Sequence, residues 1–491
     1  MDFTSPQPQF NDQQILLLGL QHMKVGRMKE AESCFRDLLK RDPNPTTRFL
    51  LATMLPPIYP SVTELHAWRM RLINSIESLH QRGVMLDLTE QFAVPAFAVA
   101  YQGLDDKALL KRLAGLYRPP ADVPPRPAPC SPGQKIRVGF VSAHFREHTI
   151  GRLMHGLIAQ LSRQRFEVIV MSIGDHCDDL AAAIHAAADE HIFLPLQLPA
   201  ARQAIRDQQL DVLFYPDIGM EPMTYTLAFS RLAPVQCTTW GHPSTTGIPA
   251  IDYFISSEDL DPPDAQQRYT EKLVRLKPPA IFYARPAMPG DVPSREDLRL
   301  PQDSNLYGCP QSLFKFHPDF DAILAGILRG DPQGLLMLIR GIDPTQDQLL
   351  LDRFEKTMPD LIDRIILLPR LDRQQFLALC VLCDVLLDPI HFGGGNTSYE
   401  GLAMGTPIVT MPSQLLRGRI TYALYRQMGI EECIADSPRR YIELALRLGT
   451  DSGYRNAIRA KIHRTSGILF ENLAGVRDLE NFLAAVAPNQ R

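Results

Sequence analysis

From Lys135 onward the chain keeps one rhythm: a short, continuous apolar run, a polar break, a stretch with helical spacing, then another apolar run. The first series is IRVGFVSA, FEVIVMSIG, HIFLPL, DVLFYPD, VQCTTWGHP and DYFISS. After a looser stretch at about 284–300 comes a second, NLYGCPQS, GLLMLIRG, RIILLPR, DVLLDPI, PIVTMPS and ECIADS. Strands this evenly apolar are covered on both faces, and the helices between them return the chain so that neighbouring strands run parallel. Two such series predict an α/β protein of two doubly wound lobes. In that architecture ligands lie beyond the carboxyl ends of the strands. Chemistry is therefore expected in the loops after these runs and in the cleft between the lobes.

The residues ahead of this series are helical in pattern. DQQILLLGLQHMKVG and RMKEAESCFRDLLKRDP read as a helix pair, and Leu18, Gly19, Ala31, Phe35 and Pro43 match the spacing of the tetratricopeptide repeat of about 34 residues. Small residues let the two helices touch, and the proline ends the second. Only one repeat is recognisable. A single unit cannot bury both of its faces, so it is expected to pack on later segments of the chain. TELHAWRMRLINSIESLHQRG and LDDKALLKRLAGLYRP continue the helical pattern up to Pro119, and PPADVPPRPAPCSPG then marks a boundary near residue 130. The expected organisation is a helical domain over 1–130, a first lobe over 131–290 and a second over 291–491.

Several function classes are disfavoured. A net charge of −4 without a basic tract argues against a nucleic-acid or membrane-surface binder. No run of about 18 apolar residues predicts a membrane span. MDFTSPQPQFNDQQ lacks the basic-then-apolar pattern of a signal peptide, so a cytoplasmic protein is expected. Of eight cysteines only Cys380 and Cys383 form a C-x-x-C, inside the apolar run FLALCVLCDVLLD; without a second Cys/His pair at zinc-like spacing they read as core.

The strongest local signal is DPIHFGGGNTSYEGLAMGTPIV, from Asp388 to Val409. Gly393, Gly394 and Gly395 lie between a buried strand and a helix expected to begin near Ser398. Glycine there allows positive φ or close approach of the backbone to a ligand, and the free N–H groups of a helix's first turn attract an anion. Asn396, Thr397 and Ser398 add neutral donors, and Glu400 is placed in the first turn, either to accept from sugar hydroxyls or to compensate the helix dipole. The bland alternative is a capped tight turn. Neither the Walker pattern nor G-x-G-x-x-G is present, which points to a nucleotide held by its diphosphate rather than hydrolysed or used for hydride transfer. Ser312 closes the run NLYGCPQS and Lys315 comes just after it, within reach of the same cleft. In the first series His144 and His148 follow the strand IRVGFVSA, His148 beside a helix start that favours neutral imidazole. His242, Ser244, Thr245 and Thr246 occupy another polar, glycine-flanked loop. Asp259 and Asp261 form a D-x-D, a weak metal signal in a proline-bearing loop, and no metal site is assigned.

Five segments carry a resemblance: KIRVGFVSAHFREHTIGRLM, RLAPVQCTTWGHPSTTGIPAIDYFISSEDLDPP, SLFKFHPDF, RIILLPRLDRQQF and DVLLDPIHFGGGNTSYEGLAMGTPIVTMPSQLLRGRI. Together they resemble the O-GlcNAc transferase/SPINDLY-like family of glycosyltransferases, the group that also holds bacterial protein glucosyltransferases. The resemblance implies a GT-B fold of two Rossmann-like lobes and inverting, metal-independent transfer with no cofactor beyond a nucleotide-sugar co-substrate. It puts the phosphate-binding lysine at Lys315, the diphosphate loop at 394–397, the loop histidine once proposed as a base at His148, and the acidic residue near nucleotide or sugar at Glu400. Where O-GlcNAc transferases show His-Thr-Thr, this chain has Gly395, Asn396 and Thr397; where they set lysine and histidine against ribose and uracil, it has Arg373 and Phe376. The His242 loop is closer to the bacterial enzymes that modify asparagine. The implied partners are a UDP-GlcNAc, UDP-glucose or GDP-sugar donor and a polypeptide acceptor modified on Ser/Thr or Asn. A homodimer through the helical N-terminus is also compatible. Two other readings stay open: a nucleotide-sugar epimerase or hydrolase of the same fold, and a non-catalytic helical adaptor.

Overall fold

The computed structural model describes residues 10–121, 134–297 and 300–488. Both expected series are present as all-parallel sheets. The first lobe has seven strands: β3 Ile136–Ser142, β4 Phe166–Ile173, β5 Glu190–Leu194, β6 Val212–Tyr215, β7 Val235–Thr239, β8 Tyr253–Ser257 and β9 Lys272–Leu276, following β1 Leu86–Asp87 and β2 Tyr117–Arg118, which pair with each other in the N-terminal region. Their order is β5-β4-β3-β6-β7-β8-β9. The second lobe is built on β10 Asn305–Gly308, β11 Gly334–Ile339, β12 Ile365–Leu368, β13 Val385–Leu387 and β14 Ile408–Val409, in the order β12-β11-β10-β13-β14. Each sheet therefore reverses direction once, between β3 and β6 and between β10 and β13, and a ligand crevice opens at such a point.

Two strands differ from expectation at the edges. β9, KLVRL, is an edge strand whose apolar residues are broken by Lys272 and Arg275, and this hid it from a search for continuous apolar runs. ECIADS makes only an isolated bridge, from Ile434 to Thr410. Cys380 and Cys383 are both buried, as a core reading requires.

The helix pair Asp12–Val25 and Met28–Arg41 forms as expected, and its small residue has a steric reason: a Cβ on Gly19 would lie 2.7 Å from the Phe35 ring. The proline-rich boundary, with Cys130, lies outside the described residues apart from 119–121. The second lobe does not run to the end of the chain. The helix Leu473–Val486 returns to the first lobe, where Phe482 packs edge-on against Tyr253 at 5.2 Å and Glu480 accepts from the Ser162 amide at 2.7 Å. Periodicity identifies such a helix but not the lobe its apolar face covers. Among the described residues, no helix is long and apolar enough to cross a membrane.

Candidate active site

β10 and β13 are adjacent in the second sheet, so the loops leaving their carboxyl ends meet. Lys315, from the first loop, donates to the Gly393 carbonyl and to Gln311 Oε1, both at 2.9 Å. Gln311 Nε2 in turn donates to Thr397 Oγ1 at 2.7 Å. Beneath them lies the buried carboxylate of Asp388, which ends β13 and accepts from the Gly394 amide at 2.7 Å and Thr410 Oγ1 at 2.8 Å. Burial draws the Lys315 ammonium down to about 8, against the opposing pull of Asp388. It stays mostly protonated at neutral pH but is poorly solvated, the condition in which an arriving anion gains most.

The glycine run works differently from the expectation. None of its three residues has positive φ. Gly393 is required because a Cβ would meet the Asp388 carboxylate at 2.7 Å, and Gly394 because a Cβ would collide with Ser398 Oγ and come within 2.6 Å of Thr397 Oγ1. Gly395 has nothing within 4 Å of such a position. The amides of Gly393 and Gly394 are already used, donating to the Arg417 carbonyl and to Asp388. The helix begins at Asn396, not Ser398, and the Gly395, Asn396 and Thr397 amides have no acceptor among the described residues. The anion seat therefore lies slightly later in the chain than expected. Ser398 does not belong to it: its hydroxyl is buried against Thr421 Oγ1 at 2.7 Å. Glu400 falls in the second helical turn, too deep to compensate the dipole at the helix start.

Two cavities flank this seat and share Thr149, Gln311, Ser312, Asn396 and Thr397 in their walls. One, of about 280 Å³, is rimmed by Arg152, Arg340, Arg370, Arg373, Phe376 and Glu400. Glu400 lies between Arg373 Nε at 3.4 Å and Arg152 at 3.8 Å, one arginine from each lobe. Burial raises the carboxyl's pKa while the two guanidiniums oppose the rise. The other cavity, of about 320 Å³, is walled by Phe97, Tyr101, His148, Trp240, Lys315 and Phe392 among others, and has no carboxylate in its wall. The lobes touch at the seat itself, where Asn396 Nδ2 donates to the Thr149 carbonyl at 3.2 Å while its Oδ1 is buried without a partner.

Both histidines differ from their expected roles. His148 caps the helix Thr149–Gln160, its Nδ1 accepting from the Ile150 amide at 3.2 Å. The neutral ring therefore carries its proton on Nε2 and presents a donor, not a base, to the cavity. Burial, with Arg146 and Arg152 nearby, lowers its pKa to about 4. His242 does not line either cavity: it stands behind the wall, its ring 4.4 Å from that of Phe97 and its Nδ1 bonded to the Ile218 carbonyl at 2.5 Å. Thr245 and Thr246 are held by Glu271, away from the cleft. Asp261 is tied up by Ser256 and Tyr269, and neither it nor Asp259 reaches the two cavities. Ser312, exposed, borders both.

Sequence reasoning missed Gln311, Asp388, Arg152, Phe97 and Tyr101. Asp388 had a signal, an acidic residue ending an apolar strand ahead of glycines. Phe97 and Tyr101 had none, since nothing in FAVAYQ shows that it is carried into a cleft between later domains.

Comparison with known proteins agrees with this geometry. The model of glycosyl transferase family 41 matches residues 84–284 and 287–479. A mutant of the Thermobaculum terrenum O-GlcNAc transferase superposes with a TM-score of 0.77 at 27% identity, covering 98% of this chain and 91% of that one. The probable UDP-N-acetylglucosamine–peptide N-acetylglucosaminyltransferase SEC of Arabidopsis thaliana is 24% identical over 71% of this chain. SPINDLY of Petunia hybrida, described in the same terms, is 26% identical over 65%. The alignments take in 36% and 35% of those two proteins, so this chain matches about a third of their length. The GT-B arrangement of two facing doubly wound lobes agrees with the structural match, and with nearly the whole of both lobes matched, the chain belongs to glycosyl transferase family 41.

Proposed function

We propose that this protein transfers a sugar from a UDP-linked donor, UDP-GlcNAc or UDP-glucose, to a Ser/Thr or Asn side chain of a polypeptide, with inversion at the anomeric carbon. The observation that carries this reading is the convergence of the Lys315 ammonium and three unpartnered amides, at Gly395, Asn396 and Thr397, on one seat between two cavities. The arginine-rimmed cavity, with Phe376 in its wall, takes the nucleoside, and the aromatic-walled cavity takes the sugar and the acceptor side chain. The acceptor oxygen or nitrogen attacks C1 from the second cavity as the C1–O bond to the β-phosphate breaks. Negative charge grows on the departing diphosphate, where the lysine and amides are already oriented, so they bind the transition state more strongly than the ground state. With no carboxylate in that wall and the His148 proton on Nε2, the acceptor's proton passes to the departing phosphate oxygens. Lys315 and the amides supply the charge that a divalent ion provides elsewhere, so turnover needs no added Mg²⁺ or Mn²⁺.

The test pairs binding with transfer. Thermal-shift titration with UDP, UDP-GlcNAc, UDP-glucose and GDP-fucose identifies the donor, since a ligand that binds only the folded chain raises Tm. Mass spectrometry of a peptide library incubated with that donor then reports sugar attached to polypeptide. No shift with any nucleotide sugar, or release of free sugar with no modified peptide, overturns the proposal.

A further inference from the structure

Beside the anion seat, but not lining either cavity, lies a second group of chemically competent side chains. His317, Asp319 and His391 each present a donor atom within 4.8 Å of the other two. His391 Nε2 is 3.0 Å from Asp319 Oδ2, His317 Nδ1 is 3.4 Å from it, and the two imidazole rings are 4.2 Å apart. We propose that these three residues form a site for a zinc-class divalent cation, independent of the transferase reading.

Three features support it. The first is spacing: tetrahedral zinc with bonds of about 2.0–2.1 Å holds its ligand atoms about 3.3 Å apart, and the two carboxylate–imidazole separations already stand on either side of that value. The second is tautomer. His317 Nδ1 accepts from the Asp319 amide, so the neutral ring carries its proton on Nε2 and turns an Nδ1 lone pair toward Asp319. Binding costs the weak cap bond at 3.1 Å and replaces it with a metal bond. The third is access: His317 is buried and His391 half-buried, but Asp319 is exposed, so an ion enters from solvent and keeps water in its fourth position. Two imidazoles and one carboxylate favour zinc over magnesium or calcium, which prefer all-oxygen shells.

The placement gives the ion a consequence. His317 lies two residues after Lys315, and His391 two residues before Gly393. A Cβ on Gly103 would lie 2.6 Å from His391 Nδ1, so the N-terminal segment runs against the same ring. A bound cation would staple together the two loops that build the anion seat and fix the His391 ring against which Gly103 packs.

The experiment uses the tag-free full chain, stripped with chelator and exchanged into chelator-free buffer. Calorimetric titration with ZnCl2 is expected to show one saturable equivalent with Kd of about 10 µM or tighter. CoCl2 is expected to give the visible absorption of tetrahedral cobalt. Asp319→Asn and His391→Ala should each weaken zinc binding at least about tenfold and abolish the zinc-dependent rise in Tm. Asp319→Asn, at an exposed position, keeps the test usable if His391→Ala fails to fold. Absence of saturable binding, an octahedral cobalt spectrum, or both variants binding zinc as the parent does would overturn the assignment.

Discussion

Replacing Lys315 with methionine tests the proposed chemistry most directly, because the structure separates its effect on rate from its effect on folding. An ammonium about 4 Å from a phosphate oxygen, at an effective dielectric of about 20, interacts by about 4 kcal/mol per unit charge. Departure of the diphosphate adds about one negative charge at that spot, so most of this interaction appears between ground and transition states. Lys315→Met should therefore lower kcat by about a hundred- to a thousandfold, at about 1.4 kcal/mol per decade, with a smaller effect on donor affinity because the three amides remain. Stability should change little. The substitution removes the hydrogen bonds to Gly393 and Gln311, but it also removes a charge that burial has pulled down to about 8. Initial rates of peptide modification at saturating donor, alongside melting curves, read the two effects. A folded variant that keeps more than about a tenth of parental kcat would refute the reasoning. The pH dependence has a definite sign. The Lys315 pKa in the folded chain lies below its ordinary value of about 10.4, so donor-dependent kcat/KM should decline as pH rises through about 8. In the window from about 8 to about 10.4 the unfolded chain holds this proton better, so the lysine's contribution to stability rises with pH.

Other substitutions test the remaining parts of the site. Gly394→Ala should destabilise by about 1–3 kcal/mol through overpacking against Ser398 and Thr397, whereas Gly395→Ala, facing open space, should stay within about 0.5 kcal/mol in chemical denaturation. His148→Ala should lose about 1 kcal/mol of helix capping and, with the Nε2 donor gone, about ten- to a hundredfold in kcat/KM. Because the His148 pKa is lowered to about 4, the parent's activity profile should show no acid limb near pH 6.5. Below about pH 6.5 the unfolded histidine takes up its proton before the folded one, so this residue's stabilisation is lost between about 6.5 and 4, seen as falling Tm on acidification. Asp106→Ala should cost about 3–5 kcal/mol, measured by denaturant unfolding, because it leaves Arg69 and Arg417, paired with it at 2.7 and 2.9 Å, as uncompensated buried charges.

The fold was legible because the strands advertise themselves. Runs such as FEVIVMSI and VLFY are buried on both faces and cannot alternate, and eleven of the twelve expected runs appear as strands in the two sheets. β9 escaped because Lys272, exposed, and Arg275, bonded to the Asp261 carbonyl, interrupt its apolar run at a sheet edge. The place of the candidate residues was legible wherever it follows from the end of an element: Lys315 after β10, the glycines after β13, His148 after β3. It was illegible where the direction of a side chain depends on which surface an element meets. His242 sits in a polar loop that looks catalytic, yet its Nδ1 is bonded to the Ile218 carbonyl and its ring is covered by Phe97. Ser398 follows the glycines by the right spacing, but helical geometry turns its hydroxyl toward Thr421. Local pattern fixes where a residue lies along the chain, whereas its direction depends on partners from distant segments.

The N-terminal helices bear on the same point, because they explain how one repeat survives without an array. A stacked repeat buries its second face against a neighbour; here the helix Pro45–Thr53 takes that place, with Leu50 and Met54 packed among Ile15, Ala31, Phe35 and Leu38, and the second lobe holds the tip of the pair. Gly26, at φ +93°, ends the first helix where a Cβ would lie 2.5 Å from Leu349, Gln346 Nε2 donates to the Lys24 carbonyl at 3.0 Å, and Arg27 reaches Thr345 at 3.2 Å. Further along, Arg353 donates to the Tyr59 carbonyl, and Arg202 of the first lobe holds the carbonyls of Leu88 and Thr89. The helical region is thus bonded to both lobes, and between those anchors it delivers Phe97 and Tyr101 to the cavity beside Lys315. Tyr101 packs on Phe314 and Phe392, each ring pair 4.7 Å apart, so the apolar wall opposite the anion seat exists only while this strap is in place. Loosening it would admit water next to a desolvated lysine, raise the local dielectric and weaken the interaction that the proposed departure of the diphosphate uses. The N-terminal region is therefore part of the wall of the candidate active site.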